Sequence, residues 1–234
     1  MTYRYILLGL IGPFCTFLAV LFGAKTSPVA AETQGQFQFA KIAVPNGLSQ
    51  EVADLALSSV ICAARHHSDG QIDKLAIIDY SLPSTQKRFW LFDLKKSKLL
   101  LEDFVAHGKN TGENVAQVFS NTPGSLQSSL GLFRAGSRYT GKHGTSLRLI
   151  GLEPGFNDAA YERAIVIHGA DYVDPKFIQK HQRLGRSFGC PALSPESAGK
   201  VIDQFDQGKG YLFAYYPDEE WLSRSKYLKA CTNL

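Results

Sequence analysis

The sequence predicts a mainly β protein of the α+β class, with helices on either side of a set of short strands. Residues 75–150 contain short apolar or alternating runs separated by clusters of Gly, Pro, Ser and Asn. This texture is typical of strands joined by turns. Segments before and after this region carry apolar residues at helical spacing, which predicts helices at both ends.

The individual elements follow from spacing and capping residues. Ser49 can cap a helix that ends near His66, and the runs after it predict a meandering antiparallel region. The predicted strands are 75–80, 88–93, 98–101, 104–107, 131–135, 146–150, 164–167 and 211–216. Asp174, Ser194 and Asp218 are placed to cap a short helix to about residue 181, a helix that ends before Gly208, and a terminal helix.

The first 31 residues have the features of a secretory signal peptide. Arg4 supplies a positive start, residues 6–22 are mostly apolar, and Val29-Ala30-Ala31 offers small residues for cleavage. An uncleaved anchor is the alternative, because about 20 apolar residues span a bilayer. We expect an exported protein of the periplasm or cell envelope, with an N-terminal extension and helix over residues 32–74 and the main domain over residues 75–234.

The charge of the chain does not indicate nucleic-acid binding. The formal net charge is +4, and removing Arg4 and Lys25 with the leader leaves 23 basic residues against 21 acidic ones. Basic residues cluster locally before Cys190, which suits an anionic substrate, although a solvated basic loop has the same composition. The cluster comprises Lys176, Lys180, His181, Arg183 and Arg186.

Cysteine usage singles out Cys190. Loss of Cys15 with the leader leaves Cys62, Cys190 and Cys231, an odd number for an exported protein. A disulfide between Cys62 and Cys231 would leave Cys190 as a free thiol. The alternative is that all three are reduced and buried.

Cys190 also has the local sequence of a nucleophile. It follows Ser187-Phe188-Gly189 and precedes a proline, while an upstream apolar run ends in His168-Gly169. A thiol with a nearby imidazole can perform acyl transfer, with His168 as the base and His143 as the alternative. In the other reading Cys190 is a buried small residue and His168 a structural one. A zinc site with His107 is possible in residue type, but the sequence lacks the usual close ligand pairing.

The chain resembles the YkuD-type L,D-transpeptidases, and more narrowly the murein L,D-transpeptidase catalytic domain proteins. The matching segments run in one order through about half of the chain. They are residues 92–94, 105–108, 119–121, 127–131, 141–144, 146–149, 151–157, 167–172, 184–187 and 189–192. The resemblance implies a β-sandwich or barrel core over residues 75–234, with an N-terminal helix, a helix after the cysteine and a C-terminal helix.

The resemblance also implies a transferase of cell-wall biogenesis that acts on peptidoglycan stem peptides. Cys190 would attack a peptide carbonyl, expel the terminal D-alanine and hold a thioester until an amine takes the acyl group. His168 would be the base and amides around Gly189 the oxyanion hole. No metal or cofactor is implied. The candidate substrate-binding residues are His143, Arg148, Gly169, Arg183, Arg186 and Ser187.

The cysteine segment departs from the family pattern at two positions. Phe188 stands where the family usually has histidine, and Ala192 where it usually has arginine or asparagine. Arg148, Arg183 or Arg186 is therefore expected to replace the missing substrate anchor. A hydrolase that uses water as acceptor, and a wall-binding protein without catalytic activity, are the alternatives to a transpeptidase.

Overall fold

The computed structural model describes residues 42–66, 72–142, 144–205 and 210–229, all within one compact unit, Phe37–Leu234. The predicted leader lies outside the described residues. The helices are α1 (Gln50–His66), α2 (Pro175–His181), α3 (Pro195–Gln204), α4 (Glu219–Arg224) and α5 (Lys226–Lys229). The strands are β1 (Lys74–Asp79), β2 (Phe89–Asp93), β3 (Lys98–Asp103), β4 (Gly131–Gly141), β5 (Gly144–Gly151), β6 (Val166–Gly169), β7 (Ala192–Leu193) and β8 (Gly210–Tyr215).

The eight strands form one sheet in the order β3-β2-β1-β8-β4-β5-β6-β7. Two antiparallel meanders, β1–β3 and β4–β6, are therefore present, as the sequence predicts for the middle of the chain. They do not pair with each other directly, because β8 lies between β1 and β4 and runs parallel to β1. Because β8 is far from β1 and β4 in the sequence, the local sequence does not indicate that it pairs with them.

The two edges of this sheet are joined by the segment that follows β3 in the chain. Residues 104–107 form no regular strand, because the Asp103 side chain accepts the Phe104 N–H at 2.7 Å and the ladder stops there. Ala106 then forms an isolated antiparallel bridge with Ala192 of β7. The sheet is thereby nearly closed into a barrel, and this Ala106–Ala192 seam lies two residues from Cys190.

Helix α1 packs its apolar face onto the same core that the strands enclose. Val52, Ala56, Val60 and Ala63 are buried there, and the Ser49 hydroxyl accepts the Val52 N–H as the predicted cap. All five side chains of β2 are buried. Aromatic rings fill much of this interior, since each buries a large apolar area. None of the described helices is long and apolar enough to cross a membrane.

The helices that follow β6, apart from α5, begin at the predicted capping residues. Asp174, Ser194 and Asp218 accept backbone N–H groups at the starts of α2, α3 and α4. The predicted terminal helix is instead two short helices, because the chain is extended at Ser225, whose hydroxyl accepts the Leu228 N–H of α5.

Candidate active site

The Cys190 side chain lies against the start of β6 and is partly exposed. Its Sγ accepts the Val166 N–H at 3.4 Å and lies 3.7 Å from the Ala164 carbonyl oxygen, to which the thiol donates. Ala164 has a left-handed backbone, with φ of 55°, which is uncommon for a residue with a side chain. Cys190 is a free cysteine. Cys62 is disulfide-bonded, and its predicted partner, Cys231, lies outside the described residues.

Strand pairing places His168 beside the cysteine. His168 of β6 pairs in parallel register with Ala192, two residues after Cys190, while the Cys190 thiol contacts Val166, two residues before His168. Alternate residues of a strand share a face, and two positions span about 7 Å. The predicted base therefore lies on β6, and the predicted nucleophile lies a short distance away in the loop that leads into β7.

The ring of His168 is oriented by its own strand end. Nδ1 lies 2.9 Å from the Gly169 carbonyl oxygen, and because a carbonyl only accepts, Nδ1 carries the proton in the neutral ring. Nε2 is then the unprotonated nitrogen, and a general base requires an unprotonated nitrogen. His168 itself is buried, at 3% exposure.

Ser187, Gly189 and Ser128 fix the cysteine loop, which we define as residues 187–191. The Ser187 hydroxyl accepts the Gly189 N–H at 3.1 Å and donates to the Cys190 carbonyl at 2.6 Å. The Ser128 hydroxyl accepts the Gly108 N–H and donates to the Gly189 carbonyl, at 3.0 and 3.1 Å. The Ser187 hydroxyl, predicted to bind substrate, thus makes its hydrogen bonds within the loop. The sequence does not indicate the role of Ser128.

The loop leaves one backbone donor next to the thiol. The Gly189 N–H, predicted as an oxyanion donor, is taken up by Ser187. The Cys190 N–H donates to no group of the described residues. Gly189 has φ of +123°, and a Cβ there would lie 2.8 Å from the Gln127 carbonyl oxygen. Gly189 is required by this backbone, and the Cys190 amide is the available oxyanion donor.

Two cations act on the thiol against the effect of burial. Burial raises the pKa of Cys190, whereas the Val166 N–H, the Arg163 guanidinium and the Lys142 ammonium lower it. The sequence did not predict a role for Arg163, because it is a single basic residue before an apolar run. Lys142, at the tip of the β4–β5 hairpin, also lies 6.0 Å from the ring of Phe188, which is 63% exposed.

The predicted substrate-binding arginines have partners within the protein. Arg183 and Arg186 both pair with Glu113, at 2.9 and 2.6 Å. Arg148 lies between two tyrosine rings, 4.7 Å from that of Tyr139 and 5.3 Å from that of Tyr161. Arg148 lies on β5, at the position that pairs with Val166. The roles of all three in substrate binding stay predictions.

A groove of about 630 Å³ lies beside the end of β6. Gly169 lines it together with Lys142, Asp171, Tyr172 and Pro195, which are among its walls. A Cβ on Gly169 would lie 2.9 Å from the Pro195 Cα, so a glycine there lets α3 approach β6 closely. The groove adjoins His168 and is large enough to take part of a peptide. The predicted His143 lies outside the described residues.

His107 belongs to a different, buried site. Its Nδ1 accepts an Arg88 N–H at 2.7 Å and its Nε2 donates to the Gly112 carbonyl at 3.2 Å. Burial, with the Arg88 charge, lowers the pKa of His107 to about 4. The ring is neutral at pH 7 and holds the backbone behind the cysteine loop. In the described ranges no three His, Cys, Asp or Glu side chains form a group that could hold a metal ion.

The comparison with protein families gives a match over most of the chain. Residues 45–215 match the model of the L,D-transpeptidase catalytic domain. The chain belongs to this family. The match includes α1 and every strand, with Cys190 and His168 inside it. Among curated proteins, none is matched.

The chain is also similar to several solved structures, at low sequence identity. The chain is similar to an L,D-transpeptidase from Mycobacterium smegmatis (14% identity, 62% of this chain and 59% of that one, TM-score 0.39). It is similar to the L,D-transpeptidase LdtMt1 in complex with imipenem (15%, 61% and 59%, 0.38). The helical cell shape determining protein Pgp2 from Campylobacter jejuni is also similar (15%, 69% and 56%, 0.38). The chain spans less than two thirds of each of these proteins.

Proposed function

We propose that this L,D-transpeptidase family member is a cysteine acyltransferase that acts on peptidoglycan stem peptides, with Cys190 as nucleophile and His168 as base. The observation that carries the proposal is the pairing of β6 with β7. His168 pairs with Ala192, and the free, partly exposed thiol of Cys190 lies two residues before Ala192. The Nδ1–H of His168 is held by the Gly169 carbonyl. A thiol with an oriented imidazole close by supplies the two groups that nucleophilic acyl transfer needs, and this supports the proposal.

In the first half-reaction the thiol proton passes to His168 Nε2 while the sulfur attacks a peptide carbonyl of the stem. The carbonyl oxygen becomes an oxyanion that accepts the Cys190 N–H. Collapse of this intermediate breaks the peptide bond, and His168 returns its proton to the departing amine of D-alanine. A thioester on Cys190 remains. One preorganised donor of this kind contributes about 10²- to 10³-fold to such a step.

In the second half-reaction an amine of another stem attacks the thioester carbonyl. His168 takes a proton from that amine and returns it to the sulfur, so that a new amide bond forms and the free thiol is restored. Water in place of the amine gives a shortened stem instead of a crosslink. The proposed setting, given the predicted signal peptide, is the periplasm or cell envelope.

Mass spectrometry of the intact protein tests the proposal. Wild type and C190A are incubated with imipenem and, separately, with tetrapeptide muropeptides. We expect an adduct on Cys190 in wild type and none in C190A, whose thermal unfolding should match that of wild type. An unmodified Cys190 after both treatments would contradict the proposal.

Product analysis identifies the acceptor. Crosslinked dimers in the digest of treated peptidoglycan indicate an amine acceptor, and shortened monomers alone indicate water. Muropeptide binding with no turnover, unchanged in C190A, would support the wall-binding alternative.

A further inference from the structure

Arg163 lies beside the cysteine loop with its hydrogen bonds directed at neutral groups. Nη1 donates to the Ser120 carbonyl and the Ser129 hydroxyl, at 2.7 and 2.5 Å. Nη2 donates to the Gln127 carbonyl and the Ser125 hydroxyl, at 2.6 and 3.2 Å. The residue lies half-buried, and among the described residues no carboxylate pairs with it.

A cation held in this way usually has an anion nearby, because removing a charge from water is costly. The titratable group that interacts electrostatically with Arg163 is Cys190, which becomes an anion when the thiol loses its proton. The guanidinium is close to the loop: Nη2 lies 3.4 Å from the position that a Cβ on Gly189 would occupy. The left-handed Ala164 separates Arg163 from β6, so that the Arg163 side chain and the Ala164 carbonyl both lie by the thiol.

We propose that Arg163 is a positioning residue that stabilises the Cys190 thiolate electrostatically, and that the four neutral acceptors hold its charge at the sulfur without cancelling it. All four bonds use the Nη atoms, so a two-bond contact of these atoms with a substrate carboxylate is already prevented. The inference concerns how Cys190 of the proposed function is activated. It can fail while Cys190 remains the nucleophile.

The other groups that face the thiol are different in kind. Tyr80 and Tyr172 both interact with Cys190, and burial raises the pKa of each to about 12, so they are neutral below pH 10. His168 lies on the adjacent strand position. Lys142 is the second cation that acts on the sulfur, but it is exposed. Water and salt screen an exposed charge more than a half-buried one, so Arg163 should have the larger effect.

The rate of Cys190 alkylation by iodoacetamide, measured against pH on the full chain, tests this. The alkylated peptide is followed by mass spectrometry with C190A as the blank, so that no peptidoglycan substrate is needed. Loss of an opposite charge at this range moves a pKa by about one unit or more. We therefore expect R163Q to raise the midpoint of the alkylation rate against pH by about one pH unit, and to slow alkylation at pH 7 about tenfold.

Three further variants distinguish an effect of the Arg163 charge from an effect of its hydrogen bonds on the loop structure. R163K keeps the charge but cannot make all four bonds, and its midpoint should stay near that of wild type. S129A removes one of the four acceptors without changing charge, and should leave the midpoint in place. K142Q should shift it less than R163Q does, and the shift should disappear in high salt.

An unchanged midpoint in R163Q, or equal shifts in R163Q and S129A, would overturn the proposal. If R163Q does not fold, as judged by circular dichroism, R163K decides alone: a midpoint near that of wild type supports the role of charge, and a rise of about one unit overturns it.

Discussion

An arginine acts on a titratable side chain at two places in this molecule, at His107 and at Cys190, and the two places differ in their exposure to solvent. Arg88 and His107 are almost fully buried, and Arg88 donates to His107, to the Val105 carbonyl and to the Leu82 carbonyl. At the cysteine, Arg163 is only half-buried and acts on a partly exposed thiol. The buried Arg88–His107 pair keeps the His107 ring neutral and supports the backbone. At the second place, the proposed reaction requires the Cys190 thiol to give up its proton.

The Arg88–His107 pair should carry the larger share of stability. In R88M the Leu82 and Val105 carbonyls and His107 Nδ1 lose their donor inside the core. Each buried polar group left without a partner costs about 1–3 kcal/mol, so we expect a loss of about 4 kcal/mol in the free energy of unfolding, measured by urea denaturation. The matched variant is R138M, at the exposed Arg138–Asp203 pair. It should lose under about 1 kcal/mol, and equal losses in the two variants would remove the contrast.

Acid should weaken the same buried pair. The pKa of His107 is lowered from 6.5 to about 4, so the unfolded chain binds this proton more readily than the folded one. The stability from the neutral ring is present above pH 6.5 and is lost as the pH falls from 6.5 through 4. The loss amounts to about 3 kcal/mol.

Denaturation at several pH values measures that loss. H107Q is the control, since an amide can accept from Arg88 and donate to Gly112 without titrating. Its stability should depend less on pH across this window. Parallel curves for H107Q and wild type would show that other groups are responsible.

At the cysteine loop, a substitution is expected to lower the rate of acylation of Cys190. G189A places a Cβ 2.8 Å from the Gln127 carbonyl oxygen at φ of +123°, so the loop must move. A displacement of about 1 Å at a reacting atom can cost about 100-fold, which the rate of imipenem acylation would report. G155A is the matched control, because Gly155 also has a positive φ but its Cβ would meet nothing within 4 Å. Similar acylation rates in G189A and G155A would argue against this role of the loop.

The smallest effect is expected at Glu113. E113Q removes the charge that pairs with Arg183 and Arg186, but the carboxylate is 71% exposed. Exposed pairs contribute about 0–1 kcal/mol, so the melting temperature should change little. Acylation should not fall, and a fall would mean that these arginines must be held in place for the reaction.

Sequence periodicity predicted most of the elements, but not β7, the irregular segment 104–107 or the break between α4 and α5. The helical spacing after Ser49, the strand before His168 and the three capping residues all appear in the structure. The strand order was not predictable, because β8 pairs with strands more than 70 residues away. Local sequence also grouped Arg183 and Arg186 with Cys190, whereas Glu113, far along the chain, pairs with both. Arg163 gained its role only from the fold, which places residues 120–129 around it.

The Ala106–Ala192 seam has a consequence for how the protein fails when heated. Its bridge consists of two backbone hydrogen bonds, at 2.8 and 3.3 Å, while the central strands are paired over five or six residues. Segments with few bonds open at lower free energy than the core. Opening of the seam would leave β7 paired only with β6, over two positions, and would loosen the segment that carries Cys190 while the barrel is otherwise intact. Heat should therefore inactivate the protein reversibly below its melting temperature, and amide exchange should be fastest along this edge.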